Sequence, residues 1–225
     1  DYYKKLGFGS KTNIELANEV SGKLAFKYET EVFNAGFGQG ITTTPIQNIK
    51  ALTSISNNGT LLQPYIIDKI VDQNTGKVIY KGEKKELEKV ASTETVSKIK
   101  NLMESVINGN SKTSTGYYYY MDGYDIIAKT GTAQVARESG KGYYSNQVIR
   151  GFAGMFPKDK PEVIMYVAAK NPSSIKLMSE VVKEIVKNTS NYLGIYNGKK
   201  EENKNLTKYT LDSYININVD IVKDT

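Results

Sequence analysis

Apolar residues recur at helical spacing in several stretches of the chain, with strand-like apolar runs between them. In "TTTPIQNIKALTSISNNGT", Ile46, Ile49, Leu52 and Ile55 repeat every three or four residues. Thr44 is a good N-cap, Pro45 suits the first helical position, and Asn58-Gly59 supplies the stop. A second period runs through "VASTETVSKIKNLMESVING", where Ser92 or Thr93 caps a helix and Gly109 terminates it. Val96, Ile99, Met103 and Val106 are expected on its buried face. A third, "SSIKLMSEVVKEIVKN", places Ile175, Met178, Val182 and Ile185 on one side. "DYYKKLGFGS" reads as the last turn of a helix closed by Gly7.

The remaining apolar runs predict strands. "PYIIDKIVD" and "KVIYK" flank the turn "QNTG" and form a hairpin. "YDIIAKTGTAQVA", "VIRGFAGMF" (closed by Pro157) and "EVIMYVAA" are strands, with "RESGKGYYSNQ" as a loop between the first two. Helix, hairpin, helix, three strands and helix make an α+β domain, an antiparallel sheet with the last helix packed on one face. After Tyr192, "NGKKEENKN" is charged and turn-rich and reads as a linker. No apolar run is long enough to span a bilayer. Both ends read as falling inside an element, so a longer protein is expected around this chain.

Composition narrows the chemistry. The 225 residues include no Cys and no His. That excludes a disulfide framework, a thiol nucleophile, a thiolate metal site and a Ser-His-Asp triad. A nucleophilic enzyme built this way must use Ser or Thr with a Lys or carboxylate as base. The net charge of +6 comes from 30 basic and 24 acidic residues that are well mixed, as on a solvated surface. It allows a weak attraction to anionic polymer or membrane surface. No aromatic-basic motif points to nucleic acid.

The segment "AKTGT" carries the most chemistry. A lysine at a strand end can aim a fixed positive charge into a groove, and adjacent hydroxyls can donate to a carboxylate. Gly131 has no Cβ, so another backbone can approach it. The N–H after the glycine can stabilise an oxyanion. Strict alternation cannot point Lys129 and Thr132 the same way, which predicts a twist or bulge near Gly131. Alone, this tetrad is equally an exposed strand end.

Its surroundings add to it. "AKTGTAQV", "GFAGMFP" and "EVIMYVAA", with the upstream "GFGQGITTTPIQ…SISNNGTLLQPYIIDKIVD", resemble penicillin-binding transpeptidases in order and spacing. The resemblance covers roughly residues 1–192 and is closest to the class B, cell-division or elongation type. It implies the C-terminal part of a penicillin-binding-protein/serine β-lactamase-like transpeptidase fold. K-T-G is one of three motifs, beside S-x-x-K and S-D-N. By resemblance, Lys129, Thr130, Gly131 and Thr132 would bind the substrate or a β-lactam, and Lys129 and Thr132 would have catalytic roles. The Thr132 N–H would be half of the oxyanion hole. Implied partners are peptidoglycan stem peptides ending in D-Ala-D-Ala, β-lactam antibiotics, the missing N-terminal part of the same protein and cell-division proteins. No cofactor and no metal are implied, and the setting would be the extracytoplasmic face of a bacterial membrane.

The other two motifs are expected upstream of Asp1. Ser97–Lys100 lies inside a helix with its Ser toward solvent, Ser173–Lys176 follows K-T-G, and Ser56-Asn57-Asn58 sits at a helix end. All are expected to be coincidences. Residues 193–207 would be a linker, and 208–225 either the opening of a PASTA-like module or a generic tail. A β-lactamase or β-lactam sensor of the same fold, and a non-catalytic cell-wall scaffold, remain alternatives. Elsewhere, "GFGQG" reads as a turn toward the cleft rather than a phosphate loop, and Tyr117–Tyr120 either stack on sugars or pack partly on the domain. Arg150 either supports a substrate carboxylate or forms a surface ion pair, and nothing points Asp122 or Asp125 to a metal or a glycosidase pair.

Overall fold

A computed structural model describes residues 2–24, 26–110, 113–139, 142–196 and 199–200. The helices are α1 (Tyr2–Lys5), α2 (Glu29–Gly36), α3 (Pro45–Ser56), α4 (Thr93–Asn108) and α5 (Ile175–Leu193), with a 3₁₀ turn at Tyr117–Tyr119. The strands are β1 (Thr60–Leu62), β2 (Lys69–Val71), β3 (Val78–Lys81), β4 (Glu86–Lys89), β5 (Ile127–Ala136), β6 (Tyr143–Phe156), β7 (Val163–Lys170), β8 (Ile195–Tyr196) and β9 (Lys199–Lys200).

The helix signals act as read. Thr44 Oγ1 accepts from the Gln47 N–H at 3.3 Å while Gln47 Oε1 accepts from the Thr44 N–H at 2.9 Å, a capping box at the start of α3. Gln47 is 1% exposed, and its amide nitrogen donates to the carbonyls of Ser10 and Ser21, each at 2.7 Å. One side chain thus starts the helix and fastens the preceding loop to it. Ser92 caps α4.

The central sheet is antiparallel in the order β5-β6-β7, and both faces are covered. Ala128, Phe152, Phe156 and Met165 face α5 and pack with Met178, Val182, Val186 and Tyr119. Ile127 and Met155 face the other way, against Met103, Leu52, Ile55 and Ile99 of α3 and α4. A Cβ on Gly154 would lie 2.5 Å from the Phe152 ring and 3.3 Å from Ala128 Cβ, so the missing side chain is what lets that ring lie flat in the core. The two-sided burial explains why "IIA" lacks alternation.

Several expectations are corrected. Strand β6 begins at Tyr143, inside the stretch read as a loop, because Tyr143 pairs with Ala136 beyond the apolar run, across a register shift. On α5 the buried arc is Met178, Ser179, Val182, Val186 and Ser190, while Ile185 is 41% exposed. The inward serines moved the arc away from where apolarity alone placed it. On α4, Ile107 rather than Val106 is buried. The packed domain continues past residue 192 to Ile195, which is 3% exposed, and β8 pairs with β9 where a linker was expected. The rest of that linker and the PASTA-like or tail segment, residues 201–225, lie outside the described residues.

The β2–β3 hairpin forms as expected, but every residue of its two strands is exposed.

Candidate functional site

Strand β5 changes character along its length. Ile127 and Ala128 are fully buried, each gripped by a different helix layer. The next four residues, Lys129 to Thr132, emerge from the core and line a cleft of about 350 Å³ with Ser114, Thr115, Tyr118, Tyr119, Arg150, Gly151 and Ile175. Within the described residues β5 pairs only with β6. Its outer edge is open, and every second residue of such an edge directs its N–H and C=O away from the sheet.

The expected bulge at Gly131 is absent. The ladder runs unbroken from Ile127↔Met155 to Gln134↔Val148, and the register shift falls between Gln134 and Ala136. Thr130 pairs with Phe152 and Thr132 with Arg150, so these four share the α5 face, while Lys129 and Gly131 take the opposite face. All four motif residues still meet in one cleft, because the cleft wraps the strand edge rather than lying on one face. No distortion is needed to bring Lys129 and Thr132 together.

The lining is cationic. Lys129 and Arg150 contribute two positive charges, and no Asp or Glu lines the cleft. Hydroxyls of Ser114, Thr115, Tyr118, Thr130 and Thr132 stand around them. The Lys129 ammonium donates to the Thr130 carbonyl oxygen, and Thr115 Oγ1 lies 2.7 Å from Thr130 Oγ1. Among the described residues Arg150 makes no ion pair, so the surface-pair reading fails; its side chain lines the cleft. A Cβ on Gly131 would meet nothing within 4 Å, which leaves room for an incoming chain. Fixed cations and hydroxyl donors with no competing carboxylate suit an anionic ligand, above all a carboxylate beside an extended backbone.

The tyrosine run divides unevenly. Tyr119 is 2% exposed and packs on Phe152 with ring centroids 4.5 Å apart, while Tyr117, Tyr118 and Tyr120 are exposed. Burial pushes the Tyr119 hydroxyl pKa up, against the pull of the Arg150 charge.

Other candidates lie elsewhere. Ser97 and Ser173 are exposed and outside the cleft. Ser56 ends α3, and Asn57 donates to Thr60 O at 3.3 Å and Glu86 Oε1 at 3.1 Å, which accounts for that triplet structurally. Asp125 accepts the Lys158 N–H at 3.0 Å. Gly38 and Gly40 form a turn after α2 and do not line the cleft. Ser114 and Thr115 were missed by the sequence reading, which treated them as a polar connection; the signal was a Thr-Gly pair directly ahead of the tyrosines.

Two helix layers around an antiparallel sheet, with a cationic open edge, define an α+β fold of the penicillin-binding-protein/serine β-lactamase type. The chain belongs to the penicillin binding protein transpeptidase domain family, whose model matches residues 1–191. It is 38% identical over 192 residues to Stage V sporulation protein D of Bacillus subtilis, covering 83% of this chain and 29% of that protein. It is 29% identical over 182 residues to the Peptidoglycan D,D-transpeptidase FtsI of Escherichia coli, covering 78% of this chain and 28% of that one. Penicillin Binding Protein 2X of Streptococcus thermophilus superposes with a TM-score of 0.76 at 29% identity, over 84% of this chain and 29% of that chain. Penicillin binding protein 3 of Mycobacterium tuberculosis, solved as a complex with aztreonam, gives 0.79 at 22% identity, over 89% and 47%. The chain spans about a third of the length of the curated relatives it matches.

Proposed function

We propose that this chain is the C-terminal portion of a class B transpeptidase domain and supplies the wall that holds the substrate. Lys129, Thr130 and Thr132 hold the carboxylate of a peptidoglycan stem peptide, and the stem backbone lies along the open edge of β5 past Gly131. Thr132 N–H forms half of the oxyanion hole. Thr130 and Thr132 have the same strand parity, so their backbone groups address the same edge, and Lys129 already donates to the Thr130 carbonyl. The observation that carries this reading is the bare edge lined by Lys129, Arg150 and hydroxyls with no carboxylate among them.

The reaction needs a nucleophile from outside these residues. Ser114 is the serine in the cleft, and its hydroxyl is engaged with the Val106 carbonyl. In the intact protein a serine, deprotonated by a nearby lysine, attacks the penultimate D-Ala carbonyl and expels the terminal D-Ala as an acyl-enzyme forms. An amine of a neighbouring stem then takes the acyl group and forms the cross-link. A β-lactam enters the same site and is held by the same carboxylate contacts. This places the intact protein on the extracytoplasmic face of a bacterial membrane, with cell-division proteins as candidate partners. Among the described residues no helix is long and apolar enough to cross a membrane.

Intact-mass analysis with penicillin tests the division of labour. The 225-residue chain is expected to remain unmodified, and the longer protein to gain one penicillin per molecule. A stoichiometric adduct on the chain itself would place the nucleophile within it and overturn this reading.

A further inference from the structure

Thr130 has a hydroxyl neighbour to which the resemblance gives no role. Thr115 Oγ1 lies 2.7 Å from Thr130 Oγ1, across the cleft mouth from the sheet. Thr115 lies between α4 and the 3₁₀ turn, and its neighbours Thr113, Ser114 and Gly116 are held by hydrogen bonds. Gly116 N–H donates to the Val106 carbonyl at 3.1 Å, and the Ser114 hydroxyl donates to the same oxygen. A Cβ on Gly116 would sit 2.5 Å from that oxygen, so a larger residue would displace the turn. The N–H groups of Thr113 and Ser114 both donate to the Asn110 carbonyl, at 3.1 and 2.9 Å. On the far side Tyr119 is buried against Phe152.

The proton count then matters. Each hydroxyl carries one donor. If Thr130 donates to Thr115, it has no proton left for a ligand. If Thr115 donates to Thr130, the Thr130 proton is free, and accepting a hydrogen bond makes that hydroxyl a stronger donor. An anion in the cleft selects the second arrangement. We propose that Thr115 is a positioning residue, donating to Thr130 Oγ1 so that the Thr130 hydroxyl proton turns toward the substrate carboxylate. This rests on the cleft reading given above.

The test compares penicillin with its methyl ester as acylating probes of the intact protein. Thr115→Val removes the donor and keeps the shape; Thr115→Ser keeps the donor. Thr115→Val is expected to lower the second-order acylation rate by the acid about tenfold, mostly by weakening the complex that precedes acylation. Thr115→Ser should stay within about twofold of the unmodified protein, and the ester should be insensitive to either change. Thr115→Ala, with its unfolding midpoint measured alongside, must repeat the acid-selective loss. Unchanged acylation by the acid, or an equal loss with acid and ester, would overturn the proposal. Lys129→Ala separates the two levels. If it slows the acid and Thr115→Val does not, only the role of Thr115 falls; if neither does, the cleft reading has failed.

Discussion

The two ends of strand β5 occupy different environments. Ile127 and Ala128 are 0% exposed, while Lys129, Gly131 and Thr132 stand at the surface. The buried end is clamped by α3 and α4 on one face and α5 on the other, and the exposed end has an open edge. A strand of this kind can be exact at its working end without being covered there. The clamp sets position, and the following residues inherit it through a regular ladder. Two-sided packing is what distinguishes β5 from the β2–β3 hairpin, whose strand residues are all exposed among the described residues.

The largest effect is expected at the buried end. Phe152→Ala removes the ring that fills the space over Gly154 and under Tyr119, and should cost about 3–5 kcal/mol in a denaturant titration. Loss of less than about 1 kcal/mol would show that α5 does not hold the strand. At the exposed end the balance reverses. Arg150→Gln should change stability by no more than about 0.5 kcal/mol, yet slow acylation of the intact protein by a carboxylated β-lactam several-fold, as for loss of one charge-assisted contact. A stability loss without a rate change would make Arg150 part of the scaffold.

A smaller effect sharpens the contrast from a remote site. Burial opposes ionisation of Glu19, but the Thr12 hydroxyl, the Thr12 N–H and the Asn13 N–H, with Lys11 nearby, outweigh it and hold the carboxyl below its usual value of 4.5. Its contribution to stability is therefore present above pH 4.5 and is lost as pH falls through the lower folded-state value. Glu19→Gln should lower the melting temperature at neutral pH and flatten its decline in acid, with no change at the cleft. An unaltered acid decline would remove Glu19 from the account.

Much of this was readable in the residues because local rules and packing agreed. Thr44-Pro45 starts α3 where it was expected, and the three late strands fall in the expected order. The failures share a cause: information that resides in a partner element. Ser179 and Ser190 face inward on α5, the Ser179 hydroxyl donating back to the Lys176 carbonyl, which no apolar periodicity records. The pairing of Tyr143 with Ala136 depends on β5, and the polar Ser145-Asn146 between it and Val148 carry no apolar trace. At the site, Lys129 to Thr132 were visible through chemistry and spacing, and Arg150 was noticed with two readings open. Thr115 was invisible, since its approach to Thr130 is made by a turn held from α4. The expectation of a bulge failed because alternation was read against a face, whereas the cleft uses an edge.

Binding of the substrate carboxylate by the exposed end of β5, as proposed above, is tested by one rate comparison. In the intact protein, the second-order rate of acylation by penicillin is compared with that of Lys129→Ala, with the unfolding midpoints measured in parallel. The expected result is a fall of about a hundredfold or more, as for loss of a charge-assisted contact at a reacting centre, with the midpoint unchanged. Equal rates in the two proteins would contradict it.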